Sequence, residues 1–227
     1  MNLTPFFYAT LAKRSYIKPP RSRSVAGVAQ MYRATFLCCA AIALLALAFA
    51  PICASAQNLL SNGDFDTDLS DWQFPDATPN WSSFDVDGSP DSGSAYALNM
   101  EATAGTQLVV LSQCVPITQA GLYIVRAYGY ADTGQSNGDL VAGFKYDLNH
   151  TDCSGPYSGL GGNYIRPHGQ WSSYSSGNAI LISYPLPASM SIEVYLRVDK
   201  TDAGGSFGGN FDGVSLIRDT IFIDGFE

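Results

Sequence analysis

Beyond residue 56 this 227-residue chain has very little positive charge. Six of its twelve basic side chains (Lys13, Arg14, Lys18, Arg21, Arg23, Arg33) and none of its twenty acidic ones fall in residues 1–56, so residues 57–227 hold six basic against twenty acidic groups, a net charge of −14. Such a charge repels phosphate backbones and anionic lipid headgroups, which sets aside nucleic-acid and membrane-surface binding as the main role. Histidine is scarce too. His150 and His168 are the only two, both between strand-like segments, so neutral-pH general bases are few. Neither cysteine after residue 56 belongs to a Cys-x-x-Cys pair, which argues against a zinc site. Helical periodicity is also lacking: no stretch of 57–227 keeps apolar residues at helical spacing for more than two turns.

The basic and apolar residues at the front are arranged as an export signal. Arg33 precedes an apolar stretch from Ala34 to Ala50, and Ala54-Ser55-Ala56 then offers small residues for cleavage before Gln57. A transmembrane anchor is the alternative, but the stretch falls short of the roughly 20 residues that span a bilayer. Ala50-Pro51-Ile52 before Cys53 lacks the small residue that usually precedes a lipidated cysteine. Residues 1–30 read as an overlong leader or a misplaced start, with Met31 the more natural beginning, and 31–56 as the signal peptide of a secreted, extracellular or periplasmic protein. Cys38, Cys39 and Cys53 leave with the leader. Cys114 and Cys153 remain, and in an oxidising compartment their default reading is a disulfide worth about 3–4 kcal/mol, with two buried thiols the alternative.

Residues 57–227 read as all-β. In Ser191–Val198, Ile192, Val194, Leu196 and Val198 form one apolar face and Ser191, Glu193, Tyr195 and Arg197 the other. Similar alternation marks 107–115, 121–130, 139–146, 178–184 and 210–217, with shorter runs at 57–61, 81–86 and 95–100. About eight short strands between turn signals favour a two-sheet antiparallel β-sandwich over a barrel. Glycine-rich stretches at 132–138, 154–163 and 203–209 are expected to be loops. The length suits a single domain over 57–217.

The opening NLLSNGDFDTDLSDWQ (58–73) resembles the first strand and loop of secreted carbohydrate-binding modules with the galactose-binding-like jelly-roll fold. GSPDSGSAYAL (88–98), QCVPITQAGLYIVRAYGYAD (113–132) and GGNFDGVSLI (208–217) follow the same family pattern in the same order. The resemblance implies a jelly roll that recognises polysaccharide. It also implies a structural calcium, carried over onto Asp66, where the family more often has Glu, and Asp212. Gly213 stands where the family has a second acidic residue, one oxygen fewer. The alternative is that Asp64, Asp66, Asp68 and Asp71 are solvated turn residues.

A glycan platform needs exposed rings for stacking and polar side chains for hydroxyls. The resemblance implies that Trp72 and Trp171 are structural, packed against the sandwich, and Trp81 is a candidate ligand residue. In 121–130, Tyr123, Val125 and Ala127 make a core face, and the other parity ends in an Arg126, Tyr128, Tyr130 stripe, the preferred platform. Tyr195 and Arg197, with Glu193, complete it if the two strands share a sheet. The alternative is that these tyrosines cap a sandwich edge with their hydroxyls in water.

Catalytic signals are weak. Gly204-Gly205-Ser206-Phe207-Gly208 matches the Gly-x-Ser-x-Gly nucleophile elbow, which requires a strand before and a helix after, whereas here a glycine-rich loop leads into a strand. No spacing among the acidic residues singles out a carboxylate pair for glycoside hydrolysis. The sequons at Asn80 and Asn149 matter only in a glycosylating host. Residues 218–227 form a tail like those on varied secreted bacterial proteins, or an added edge strand over Thr220–Ile223. The expectation is a secreted, non-catalytic carbohydrate-binding sandwich; the alternative is a surface-structural or protein-interaction module on the same fold.

Overall fold

The computed structural model describes residues 57–135, 137–166, 168–174 and 179–219. The expected leader and signal peptide (1–56) and the tail segment 220–227 lie outside the described residues. Ten strands follow one another without a helix among the described residues: β1 (Asn80–Ser82), β2 (Ser94–Asn99), β3 (Thr106–Pro116), β4 (Gly121–Ala131), β5 (Gly138–Asp147), β6 (Gly159–Ile165), β7 (Ser172–Tyr174), β8 (Ala179–Ile182), β9 (Ser191–Lys200) and β10 (Phe207–Asp219). They form two antiparallel sheets. One runs β1-β2-β10-β4-β7, with β8 also pairing β4; the other runs β3-β9-β5-β6.

Alternation places the core as expected. Ile192, Val194, Leu196 and Val198 of β9 and Tyr123, Val125 and Ala127 of β4 all point inward and are buried. Phe207 and Phe211 of β10 join them. A register shift between Asp212 and Ser215 then changes the parity of β10, so that Val214 and Leu216 continue the buried face. Gly213 sits at that shift with φ +54°, and a Cβ there would lie 2.8 Å from Tyr128 Cδ2. The residue that breaks the acidic motif is therefore required by the backbone and by the ring packed over it.

Three local expectations are corrected. The glycine-rich stretch around 159–163 is strand β6, whose glycines admit neighbouring rings: a Cβ on Gly159 would meet Tyr146 at 2.4 Å, and one on Gly162 would meet the Tyr195 hydroxyl at 2.7 Å. The loop 203–209 is shorter than expected because β10 begins at Phe207. Residues 57–61 contribute only a bridge from Asn58 to Ile217. Cys114 and Cys153 form a disulfide, with Cα atoms 6.0 Å apart.

Candidate functional site

Each sheet carries a cleft on its outer face. On the first sheet, antiparallel pairing sets Tyr128 opposite Asp212 and Tyr130 opposite Asn210. The turn 85–92 closes over this face, organised by Asp85. Its Oδ1 accepts the Asp87 and Ser89 amides at 2.7 and 3.0 Å, and its Oδ2 accepts the Ser92 hydroxyl. Burial alone would raise the Asp85 pKa, but these bonds outweigh it and hold the carboxyl below its usual range. The resulting cleft, about 580 Å³, is lined by Asp64, Asp66, Asp85, Asp87, Asp91 and Asp212 with Tyr128, and by no basic side chain. Asp212 lies at its floor, 1% exposed. Its Oδ2 accepts the Val86 amide at 3.0 Å and its Oδ1 the Gly213 amide at 2.6 Å. Burial nonetheless dominates, and with Asp85 and Asp64 nearby it pushes the Asp212 pKa up to about 7. Asp64 is raised by burial and by Asp66, Asp85 and Asp87.

The expected metal residues Asp66 and Asp212 thus share one cleft. Among the described residues, however, no three His, Cys, Asp or Glu side chains are grouped so as to hold a metal ion by themselves. The Arg126, Tyr128, Tyr130 stripe is divided. Arg126 stands in water, Tyr128 is 40% exposed at the acidic cleft, and Tyr130 belongs to an aromatic cluster. Phe84 meets Tyr130 edge-on at 4.8 Å and stacks on Trp171 at 5.2 Å. Trp171 is thus part of this half-buried cluster, whereas Trp72 is buried in the core, its Nε1 donating to Asn62 O at 3.0 Å. Trp81 is 40% exposed, its Nε1 donating to Phe65 O at 2.7 Å.

Tyr195 and Arg197 do not complete the stripe, because β9 belongs to the other sheet. Tyr195 is buried, 4% exposed, with its ring across Gly143 and Gly162 and its hydroxyl donating to Gly161 O at 3.2 Å. Arg197 is committed to a two-pronged pair with Asp199, at 2.6 and 2.8 Å.

The second cleft, about 370 Å³, opens on this outer face. One wall is the segment Gln73–Asp76, bound to the edge of β3 by reciprocal Gln73–Ser112 backbone bonds of 2.9 Å and by Asp76 Oδ2 accepting the Val109 amide at 2.7 Å. The opposite wall is the loop after β5, contributing Asp152, Cys153 and Tyr157. The floor is Val109, Ser112, Lys145 and Glu193. Lys145 Nζ stands 3.7 Å from Glu193 Oε2 and 4.6 Å from the centre of the Tyr157 ring. The Tyr157 hydroxyl donates to Glu193 Oε2. Burial, then the Glu193 hydrogen bond and charge, push the Tyr157 pKa up to about 12. A 42% exposed ring is thereby fixed in orientation beside amide, hydroxyl and carboxylate groups. Neither Lys145 nor Tyr157 stands out in the sequence; the one available signal is that Cys153, four residues before Tyr157, has Cys114 as its partner.

The elbow motif around Ser206 runs into strand β10 rather than a helix, so the required strand-turn-helix setting is not formed.

No protein-family profile matches the chain, and no curated protein matches it. Among solved structures, the chain is similar to TmCBM61 in complex with β-1,4-galactotriose (18% identity, 72% of this chain and 100% of that one, TM-score 0.47). It is also similar to the CBM22-1 xylan-binding domain of Xyn10C from Paenibacillus barcinonensis (15% identity, 73% and 97%, TM-score 0.42). A third is TmCBM27, described for specific mannan recognition (11% identity, 74% and 97%, TM-score 0.35).

Proposed function

We propose that this protein is a secreted, non-catalytic carbohydrate-binding β-sandwich, and that its glycan lies in the cleft of the β3-β9-β5-β6 sheet. The observation that carries this reading is the composition of that cleft: the exposed, oriented Tyr157 ring flanks a floor and far wall bearing Ser112, Gln73 and Asp76. A sugar ring has an apolar face for stacking and a rim of hydroxyls that donate and accept, and both needs are supplied here within a volume typical of small-ligand clefts. Lys145 and Glu193 are spent on each other and on Tyr157, so their role is to hold the ring.

The first-sheet cleft suits a different guest. Its side-chain donors are oxygens, it carries no cation of its own, and Asp212 and Asp64 both bear a charge penalty that a divalent ion would relieve. Asp66 and Asp212 would hold calcium there, with backbone and water oxygens supplying the rest of its shell. Bound calcium would supply charge neutralisation that ties the first loop of the domain to its last strand.

The test is affinity electrophoresis through gels containing β-1,4-galactan, xylan or mannan. Retardation that weakens on the order of tenfold in Tyr157→Ala and persists in Tyr128→Ala supports the assignment. The reverse pattern moves the site to the first sheet, and no retardation by any polymer favours a sugar-blind interaction module.

A further inference from the structure

The second cleft has one wall that packing does little to hold. The loop between β5 and β6, residues 148–158, leaves its large apolar side chains only partly covered: Leu148 is 39% and Tyr157 42% exposed. To line the cleft it crosses the outer face of β9 and reaches edge strand β3, where the attachment is covalent, through Cys153 to Cys114. The other ties are polar. Asp147 Oδ2 meets His150 Nδ1 at 2.7 Å, and Ser191 Oγ donates to His150 O at 2.7 Å and accepts the Cys153 amide at 3.2 Å. Ser158 N donates to Tyr146 O at 2.8 Å at the far end. Between them, Asp152 Oδ1 accepts the Ser154 amide at 3.1 Å within the loop and Tyr157 meets Glu193 and Lys145, and single polar or cation–π contacts of partly exposed groups do not order a loop alone. Both cysteines line the cleft and neither is fully buried, so a small reductant reaches the bond through it.

We infer that the Cys114–Cys153 disulfide is a redox latch on this cleft: oxidation assembles the wall that bears Asp152 and Tyr157, and reduction releases it while the sandwich stays folded. This rests on the glycan reading of the same cleft. The step is ordinary thiol–disulfide exchange. A thiolate of a dithiol reductant attacks one protein sulfur, breaking the cystine bond and expelling the other cysteine as a thiolate. The reductant's second thiolate then attacks the reductant sulfur of this mixed disulfide and expels the remaining cysteine, so that two electrons and two protons pass from the dithiol, which becomes a disulfide, to the two protein thiols. Reduction removes no core contact, because the buried faces of the two sheets, around Leu111, Leu140, Leu196 and Phe211, lie on the other side of β3 and β9 from the cystine. Binding competence is thereby confined to oxidising surroundings.

The experiment compares oxidised protein, protein reduced with a dithiol and alkylated, and Cys114→Ser/Cys153→Ser. It measures amide hydrogen exchange by peptide and retardation in the β-1,4-galactan, xylan and mannan gels. The expected result is exchange faster by about tenfold or more over 148–158, unchanged in β4 and β10, with retardation lost. Unchanged exchange over 148–158 overturns the latch, and so does a rise spread across β4 and β10, which would make the bond a support of the whole fold. Retardation that survives an opened loop overturns its control of binding. A loop that opens in a protein that no polymer retards even when oxidised brings down the glycan reading and leaves the mechanical latch standing.

Discussion

Asp212 makes the acidic cleft of the first sheet measurable. Its carboxyl is raised from the usual 3.8 to about 7, chiefly by burial. Between those two values the folded protein keeps a proton that the unfolded chain has lost, so unfolding releases it and stability falls as pH rises. The contribution is fully present below about pH 4 and gone by about pH 7, opposite in sign to an ordinary salt-bridged aspartate. Roughly three pH units correspond to about 4 kcal/mol. The side chain faces an open cleft, so solvent screening leaves about half of that, near 2 kcal/mol, or about 4–8 °C in Tm for a domain this size. Asp85 and Asp147 are lowered and act in the other direction, so the quantity to read is the difference between wild type and Asp212→Asn, followed by thermal melting in chelator from pH 4 to 7.5. The variant loses one acceptor, a cost independent of pH, while the wild-type advantage shrinks as pH rises. Millimolar calcium should restore the wild type at pH 7.5 and leave Asp212→Asn largely unmoved. A pH-independent difference in chelator would refute the burial argument; a pH-dependent one that calcium does not alter would refute calcium alone.

Three further outcomes follow from individual contacts. In Glu193→Gln the Tyr157 phenol should titrate below about 12, moving only part of the way back because burial is the larger cause; NMR of the ring reads this, and an unmoved value would remove the hydrogen bond that orients it. Lys200 is fully buried, its Nζ donating to the carbonyls of Glu101, Gly204 and Gly205. Lys200→Met strands those acceptors and should cost about 2–3 kcal/mol in urea unfolding, and a cost near zero would show that water replaces the ammonium. Gly213→Ala forces a side chain into positive φ against the Tyr128 ring, with an expected loss of about 1–2 kcal/mol.

The sandwich was legible because alternation reports burial directly. The even-numbered apolar residues of β9 and the odd-numbered ones of β4 had to face a core, and they do. The glycines of β6 were less legible, since a glycine made necessary by a ring lying across it looks the same in sequence as one in a loop. Only the tertiary placement of Tyr146 and Tyr195 separates the two.

The proposed binding face was illegible for a related reason. Alternation says which side of a strand faces out, but not which sheet the strand joins. Arg126, Tyr128 and Tyr130 on β4 and Tyr195 and Arg197 on β9 look like two halves of one surface, yet β9 pairs with β3 and β5, whereas β4 pairs with β10, β7 and β8. The two outer faces are therefore opposite faces of the sandwich. Each stripe is then consumed locally: Tyr130 by Phe84 and Trp171, Tyr195 by the glycine floor, Arg197 by Asp199. Tyr128 stays open at the acidic cleft, whereas the ring that faces the second cleft, Tyr157, is not on a strand at all. It reaches the second sheet because Cys153 draws its loop across β9 to Cys114. The disulfide, expected only as a support for the fold, carries the spatial information about the second cleft that strand periodicity cannot.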